Sequence, residues 1–487
     1  MADTNFLVGL QLLVVGLGRE GVALATYLAK QGLKVFATDL QPEEQLADVA
    51  ASLREKGVTL HLGEHPISLL DKADILFVSP GVPLETPFLQ QAMLRRIPLS
   101  TESRLFCHLC PAPIVAITGT SGKTTTTTLV AKIMEADGRR TWVGGNIGQP
   151  LIGVVDQIEP TDAVVMELSS FQLEYFHARL NKNVDMSKIP SPEPQQLARL
   201  LGNWSPPISA ILNIKPNHLD RHPSMKHYIR AKRAIIDYQE AQGVMIMSLD
   251  NDMTRTIGNH FRKKVRWFSQ EAQVANGAGL VGDMLALFDQ KLEPQPLASQ
   301  REIKLRGSHN INNILAACLL AREAGASPEA MRQVITSFTG VEHRLQLVRE
   351  HHGVLYYNDS ISTSPDRLIA ALHSFNEPIV LLVGGRDKHL PWEEAAWLAL
   401  VKTRDIIIFG EAAELIAEAI ELVRPQIPSS NTAVHRCKDL EEAVSLAAQI
   451  ARSGDVVLLS PGCASFDAFR NFAERGERFT ELVRQLR

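Results

Sequence analysis

The sequence predicts an α/β protein of three domains, and three observations carry that prediction. The chain has 487 residues, too many for one core and enough for about three domains at roughly 150 residues each. Short apolar, β-branched strands alternate with amphipathic helical spacings, the pattern of a parallel sheet covered on both faces. The strands close on Gly, Asp or Pro-Gly, where open α/β sheets gather ligands.

The first domain, residues 1–101, opens with the strand LLVVGLG, continues through REGVALATYLAKQG at helical spacing, and adds strands KVFATD and ADILFVSPG. Its apolar start, FLVGLQLLVVGLG, lacks the basic n-region of a signal peptide and runs into a glycine pattern, so it reads as a buried strand. The second domain, residues 102–340, passes through the connector CHLCPAP into PIVAITG, DAVVMEL and SAILNI. Between the last two, HARLNKNVDMSKIPSPEPQQLARLLGNWSPP is proline-rich and poorly periodic, and part of it reads as a mobile surface loop. The third domain, residues 341–487, alternates again with VLYYND, PIVLLVGG, RDIIIFG and DVVLLSPG.

Charge excludes several functions. With 50 Lys and Arg against 54 Asp and Glu, the net charge of −4 supports neither a nucleic-acid surface nor a polybasic membrane patch. Bound phosphates must be held locally, by backbone amides and a few cations. No segment approaches the ~18 apolar residues of a membrane span. Five cysteines are a sparse, odd count, which predicts a reduced, cytoplasmic compartment. Cys107-His108-Leu109-Cys110 has metal-like spacing, but no second Cys/His pair completes four ligands, so buried thiols are the better reading. Small molecules are the expected partners, and a monomer the expected state.

Two glycine motifs carry chemistry. Gly16-x-Gly18-x-x-Gly21 follows a strand and opens a helix, with Asp39 ending the next strand. This Rossmann-like arrangement lets a pyrophosphate approach a helix N-terminus and places a carboxylate for a ribose hydroxyl. NAD is the obvious ligand, and a nicotinamide-dependent dehydrogenase the obvious enzyme. The same pattern also occurs where glycines only permit close helix–sheet packing.

The second motif, TGTSGKTTT, contains Gly119, Thr120, Ser121, Gly122, Lys123, Thr124 and Thr125 between a strand and a helix. The usual phosphate-loop pattern needs a glycine where Ile117 stands. Five threonines from Thr124 to Thr128 cost roughly half a kcal/mol each against alanine in a helix interior, less where hydroxyls serve free amides or a ligand. Backbone amides and the helix dipole would face phosphates, Lys123 would add a cation, and Thr124 could reach a magnesium ion. Glu167, ending an apolar strand, is costly unless it meets a cation. His218, Asp220 and Lys232 follow another strand, and each alone is a weak signal. The lysine loop and Glu167 have no use in a dehydrogenase.

These residues, with GGNIGQPL, ELSSFQLE, NHLDRHPSMKHYIRAK, GSHNINNILAA, FTGVEHRLQLV, NDSISTSPD, LLVGGRDK and LSPGCASFDAFRNFAERG, stand in the order seen in the Mur ligase family. The resemblance spans nearly the whole chain, and the family's short TGTxGK[ST] loop accounts for Ile117. ELSSFQLE and the last motif resemble the branch that adds D-glutamate to UDP-N-acetylmuramoyl-L-alanine. Another Mur-type or folylpolyglutamate synthase-like amide ligase stays open beside it.

The resemblance implies a central P-loop ATPase-like domain between two Rossmann-like ones. It also implies carboxylate activation by ATP with two Mg²⁺ ions, through an acyl phosphate attacked by an amine. Lys123 and Thr124 would hold ATP phosphates and one magnesium, with Glu167 a further metal ligand. His218 would lie near the second metal, and Lys232 matches a lysine that these enzymes carbamylate. Asn310, Asn313, Arg344 and Asp359 would surround adenine, ribose and phosphates. Asn146 would contact the muramoyl substrate, and the N-terminal glycines with Asp39 and Ser79 its UDP part. Thr363, Lys388, Ser465 and Phe472 would bind D-glutamate. Three departures stand out: Ile361 where some relatives carry lysine, Asn217 in place of an aspartate, and a long loop at residues 180–208.

Overall fold

The computed structural model describes residues 2–218, 221–261 and 265–486. They form two compact units, Met1–Ile303 with Ser308–Ser337, and Lys304–Gly307 with Phe338–Arg487.

The first unit carries two sheets. Strands β1 (Gln11–Val15), β2 (Lys34–Asp39), β3 (Thr59–Leu62), β4 (Ile75–Val78) and β5 (Leu99–Ser100) form a parallel sheet in the order β3-β2-β1-β4-β5. Leu12 to Val15 and Ile75 to Val78 are all buried, as expected of parallel strands covered on both faces. The second sheet contains β6 (Ile114–Thr118), β7 (Thr141–Gly145), β8 (Ala163–Glu167), β9 (Ile208–Ile211), β10 (Val244–Ser248), β11 (Val265–Phe268), β12 (Ala278–Val281), β13 (Met284–Phe288) and β14 (Pro294–Ser299). Its order is β14-β13-β12-β11-β10-β9-β6-β8-β7, parallel from β7 to β12 and antiparallel beyond. Strand order reverses around β6, so the loops after β6, β8 and β9 open at one switch point, the place for a ligand.

The second unit has β15 (Gln346–His351), β16 (Val354–Asn358), β17 (Ile379–Gly384), β18 (Thr403–Phe409), β19 (Ala433–Arg436) and β20 (Val456–Gly462), in the order β15-β16-β20-β17-β18-β19. Only β15 runs antiparallel to its neighbour. Every residue of β17 and β20 is buried. Three sheets flanked by helices bear out the three-domain α/β expectation. No helix among the described residues is long and apolar enough to cross a membrane.

The proline-rich stretch after β8 is a correction. It is folded and anchored, where the sequence suggested a mobile loop. Pro194 starts a helix, Pro194–Leu201, whose Leu197, Leu200 and Leu201 are buried. Proline fits a first helical turn because its missing N–H has no partner there anyway. Asn181 brackets β5 like a strand, accepting from Leu99 N at 2.9 Å and donating to Leu99 O at 3.0 Å. Ser191 Oγ donates to Phe6 O at 2.6 Å. Arg104, itself buried, donates from Nη2 to Arg199 O at 2.8 Å and Gly202 O at 3.3 Å, capping the helix C-terminus.

Candidate active site

At the switch point, β6 feeds the loop Gly119–Gly122 into the helix Lys123–Ala136. Gly122 has φ +81°, and a Cβ there would stand 2.2 Å from Asn313 Oδ1. Only glycine accepts both the left-handed backbone and the close approach. Lys123 Nζ folds back onto Gly119 O (3.2 Å) and Thr120 O (3.1 Å), over the loop it belongs to. Ser121 N donates to Asn213 Oδ1 at 3.0 Å, tying the loop to the end of β9. Of the threonine run, Thr124 bonds Glu167 and Thr128 turns back to Thr124 O, while the hydroxyls of Thr126 and Thr127 are buried without a partner.

Glu167 gathers the surrounding loops. Its Oε2 accepts from Thr124 Oγ1 and its Oε1 from Asn146 Nδ2, each at 2.8 Å. Gly145, at φ +87°, lets the Asn146 loop pass against the Glu167 carbonyl, where a Cβ would stand 2.2 Å away. Lys232, on the helix Met225–Arg233, is 2% exposed and donates to Gly119 O at 2.9 Å and Thr118 Oγ1 at 3.2 Å. Burial drives its amine well below the ordinary lysine range; Lys123 adds to that, and Glu167 opposes it. Tyr228 lies under the amine and donates to or accepts from Thr120 Oγ1 at 3.0 Å. His218 takes φ +54° and packs edge-on against Phe171, and its amide bonds the Asn217 side chain. Asp220 lies outside the described residues.

Beside the loop is a cavity of about 380 Å³ lined by Gly122, Asn213, Asp250, Asn251, His309 and Asn313. Asn310 Oδ1 accepts from Asn313 Nδ2 at 2.9 Å, which orients the amide that faces Gly122. Thr125, in the first turn of that helix, is buried.

A second cavity, of about 430 Å³, lies at the glycine fingerprint and joins Gly16, Gly18, Asp39, Ser79, Asn146 and Arg221. Gly16 has φ +90°, and a Cβ on Gly21 would meet Gly16 O at 1.9 Å, so these two glycines set the turn and the helix packing. Gly18 has open space above it. The Asp39 carboxylate accepts from Leu17 N at 2.6 Å and Gln41 N at 2.8 Å, and Ser79 Oγ donates to Gly16 O at 2.7 Å. Both side chains therefore brace the loop itself.

In the second unit Asp359 follows β16 and is buried, accepting from Ser362 Oγ, Ser460 Oγ and Leu345 N. Burial raises its carboxyl to about 6, against the pull of those hydrogen bonds and of Arg344. Arg344 sits one residue beyond His343, whose φ is +62°. Lys388 Nζ donates to Thr363 Oγ1 at 3.0 Å, and partial burial lowers its amine. Ser465 is buried, whereas Phe472, opening the helix Phe472–Gln485, is exposed. Ile361 supplies a backbone carbonyl to Arg367 in place of a cation.

The sequence reading missed three residues here. Arg475 is fully buried and donates to the carbonyls of Ser360, Cys463 and Ala464, binding together the loops that carry Thr363 and Ser465. Arg221 lies over Phe171 at 4.7 Å and donates to Pro80 O and Gly81 O on the cavity rim. His222 is buried on Ser170 Oγ at 2.9 Å, its ring held down to about 4 by burial and by the neighbouring His218, Lys232 and Arg221. The charged strings around them look like solvated faces, and only the fold turns these groups inward.

Three family models match the chain in order: the Mur ligase MurD-like N-terminal domain over residues 10–100, the Mur ligase middle domain over 117–188 and 191–321, and the Mur ligase glutamate ligase domain over 343–463. The chain belongs to the Mur ligase family. Among its relatives are proteins named UDP-N-acetylmuramoylalanine–D-glutamate ligase. That of Clostridium novyi is 38% identical, covering 99% of this chain and 98% of its own length. That of Symbiobacterium thermophilum is 40% identical, covering 97% of each. Solved structures show the same fold. The UDP-N-acetylmuramate-alanine ligase of Thermotoga maritima has TM-score 0.53 and 17% identity over 98% of this chain and 99% of that one. A UDP-N-acetylmuramoyl-L-alanyl-D-glutamate–2,6-diaminopimelate ligase has TM-score 0.54 and 16% identity over 93% of each.

Proposed function

We propose that this chain is an ATP-dependent ligase that joins D-glutamate to UDP-N-acetylmuramoyl-L-alanine in peptidoglycan precursor synthesis. The observation that carries the reading is the meeting, at one switch point, of the lysine loop, Glu167 and buried Lys232, beside a glycine-loop cavity that shares Asn146 with it.

The residues fit the family's ATP and magnesium. Glu167 and Thr124 bring hard oxygens together beside the loop amides, the donor set magnesium prefers. Phosphate oxygens, and a carbamate on Lys232, would supply further ligands of the same hard kind. Bound magnesium would neutralise phosphate charge as it shifts. The chain's own groups do the rest. Loop amides and Lys123 orient the triphosphate, and the 380 Å³ cavity takes the nucleoside on Asn313, which Asn310 holds in place. The substrate carboxylate, presented from the 430 Å³ cavity past Asn146, accepts the terminal phosphoryl group. The amine of D-glutamate then attacks the acyl carbon, and as it gives up a proton the carbon–oxygen bond to phosphate breaks, leaving an amide and free inorganic phosphate.

Lys232 is suited to carbamylation. Its buried amine favours the neutral, nucleophilic form, and carbon dioxide converts that amine into an anion, the charge Lys123 nearby can stabilise. We assign Thr363, Lys388, Ser465 and Phe472 to D-glutamate, and Arg344 and Asp359 to the nucleotide. Two metal ions, a monomeric state and a cytoplasmic setting belong to the same proposal. Phosphate release that requires both the muramoyl substrate and D-glutamate, and fails with L-glutamate, L-lysine or diaminopimelate, is the expected result. Turnover with another of these amino acids instead would move the chain to a sister activity.

A further inference from the structure

We propose that Glu20 and Glu102 hold one proton between them across the Ser103 hydroxyl, and that this latch positions the glycine loop of the substrate cavity. The positional consequence rests on the reading of that cavity as the UDP-substrate site; the proton sharing does not.

Glu20 stands in the first turn of the helix after the glycine loop, on the wall of the 430 Å³ cavity. A free carboxylate there would repel a diphosphate. Its Oε1 instead accepts from Gln172 Nε2 at 2.8 Å, and its Oε2 lies 3.3 Å from Ser103 Oγ. Glu102 Oε2 approaches the same Ser103 Oγ at 3.2 Å, while its Oε1 accepts from Ile152 N at 3.1 Å. Gln172 Nε2 also donates to Ser103 Oγ at 3.1 Å. The amide cannot be the other way round, because its oxygen accepts from Ser169 N, which can only donate, at 2.9 Å. Four segments thus meet here: the glycine-loop helix, the helix Glu102–Leu109, the Ile152 turn, and the turn that follows metal-side strand β8.

The hydrogen-bond inventory counts the proton. A serine hydroxyl has one hydrogen and two lone pairs. Gln172 uses one lone pair, and the hydrogen can serve one carboxylate only. The other carboxyl faces the second lone pair and must be a donor itself, which requires that it be protonated. With two protons, or none, one contact is left repulsive or unmade. Glu102, Ser103 and Gln172 are all buried, so water cannot relieve such a mismatch on the Glu102 side of the cluster. The charged groups that act on the pair are Arg19, on Glu20's own helix, and Glu20 itself acting on Glu102; the Cys107 thiol lies beyond Glu102. Burial raises the proton affinity of both carboxyls, and the charge of Glu20 raises Glu102 further, so the pair keeps the shared proton past neutrality. For an acid whose folded value is raised, the stabilisation is complete below the unfolded value and lost as pH climbs through the folded one. The latch therefore loosens on going alkaline.

The test is a thermal-unfolding cycle on the ligand-free enzyme with Glu20→Gln, Glu102→Gln and the double variant. Each single glutamine supplies the N–H that the proton supplies, so its melting temperature should decline less steeply than that of the native enzyme between about pH 7 and pH 9. The double variant aims two N–H groups at one oxygen already used by Gln172, and should fall below the additive expectation by about 3 °C or more. Additive behaviour, or a native melting temperature flat over that range, would overturn the proton sharing. For the positioning role, the KM of the native enzyme for UDP-N-acetylmuramoyl-L-alanine should rise severalfold over that range with kcat little changed, and the Glu102→Gln profile should be flatter. A pH-independent native KM would overturn it. Failure to use that substrate at all would defeat the functional reading and leave the thermal cycle to decide the proton.

Discussion

Gly122 shows how much a single residue can carry. Replacing it with alanine puts a side chain into left-handed backbone, at about 1–2 kcal/mol, and against Asn313 Oδ1 as well. Asn313 can escape only by giving up its bond to Asn310, so nucleotide affinity should fall with stability. We predict that Gly122→Ala weakens ATP binding at least about tenfold by calorimetry, and unchanged affinity would remove Asn313 from the nucleotide site. Lys232 offers a second test with no need for turnover. Its neutral amine should give a carbamate resonance in ¹³C NMR under labelled carbon dioxide, absent from Lys232→Arg, whose guanidinium stays charged. A spectrum identical for both proteins would refute the modification.

At the scale of elements, the legible parts of the site are the local ones. Gly119 to Thr124 could be read as a phosphate loop because its chemistry lies within one turn of chain. The Glu167 position was legible because a carboxylate ending an apolar strand demands a partner. Lys232 and Asn313 were visible only through the resemblance, since each reaches the loop across the fold from a helix whose own pattern is unremarkable. Glu20 and Glu102 gave no local signal, for their meaning lies in sharing Ser103. The stretch before β9 misled because prolines mark turns as readily as disorder, and here they start a packed helix. Leu197 and Leu200 are its buried face, so either leucine replaced by alanine should cost ~2–5 kcal/mol in urea unfolding. A cost below about 0.5 kcal/mol, typical of surface positions, would show that the helix is not part of the folded unit.

For the molecule as a whole, the titrating groups set a window of stability. Burial depresses His65, His108, His177, His222, His309 and His343, with His108 and His222 held to about 4. A histidine kept neutral by the fold contributes fully above its unfolded value, near 6.5, and that contribution is lost as pH falls toward the folded one. Six such groups are spread over both units, so acid should begin to destabilise the protein well before its carboxylates protonate. From the other side, Asp359, raised to about 6, and the proton held by the Glu20–Glu102 pair contribute on the acid side and lose their contribution as pH climbs through and past neutrality. The two trends oppose each other between about pH 5 and 7, and the histidines are the more numerous. We therefore predict that unfolding free energy, measured with urea across pH, peaks close to neutrality and falls more steeply toward pH 5 than toward pH 8. Substituting His222 with Gln, which keeps a side-chain amide for Ser170 but cannot take up a proton, should flatten the acid limb and leave the alkaline one unchanged. An acid limb as steep in His222→Gln as in the native chain would mean that the buried histidine is not among the groups that set it.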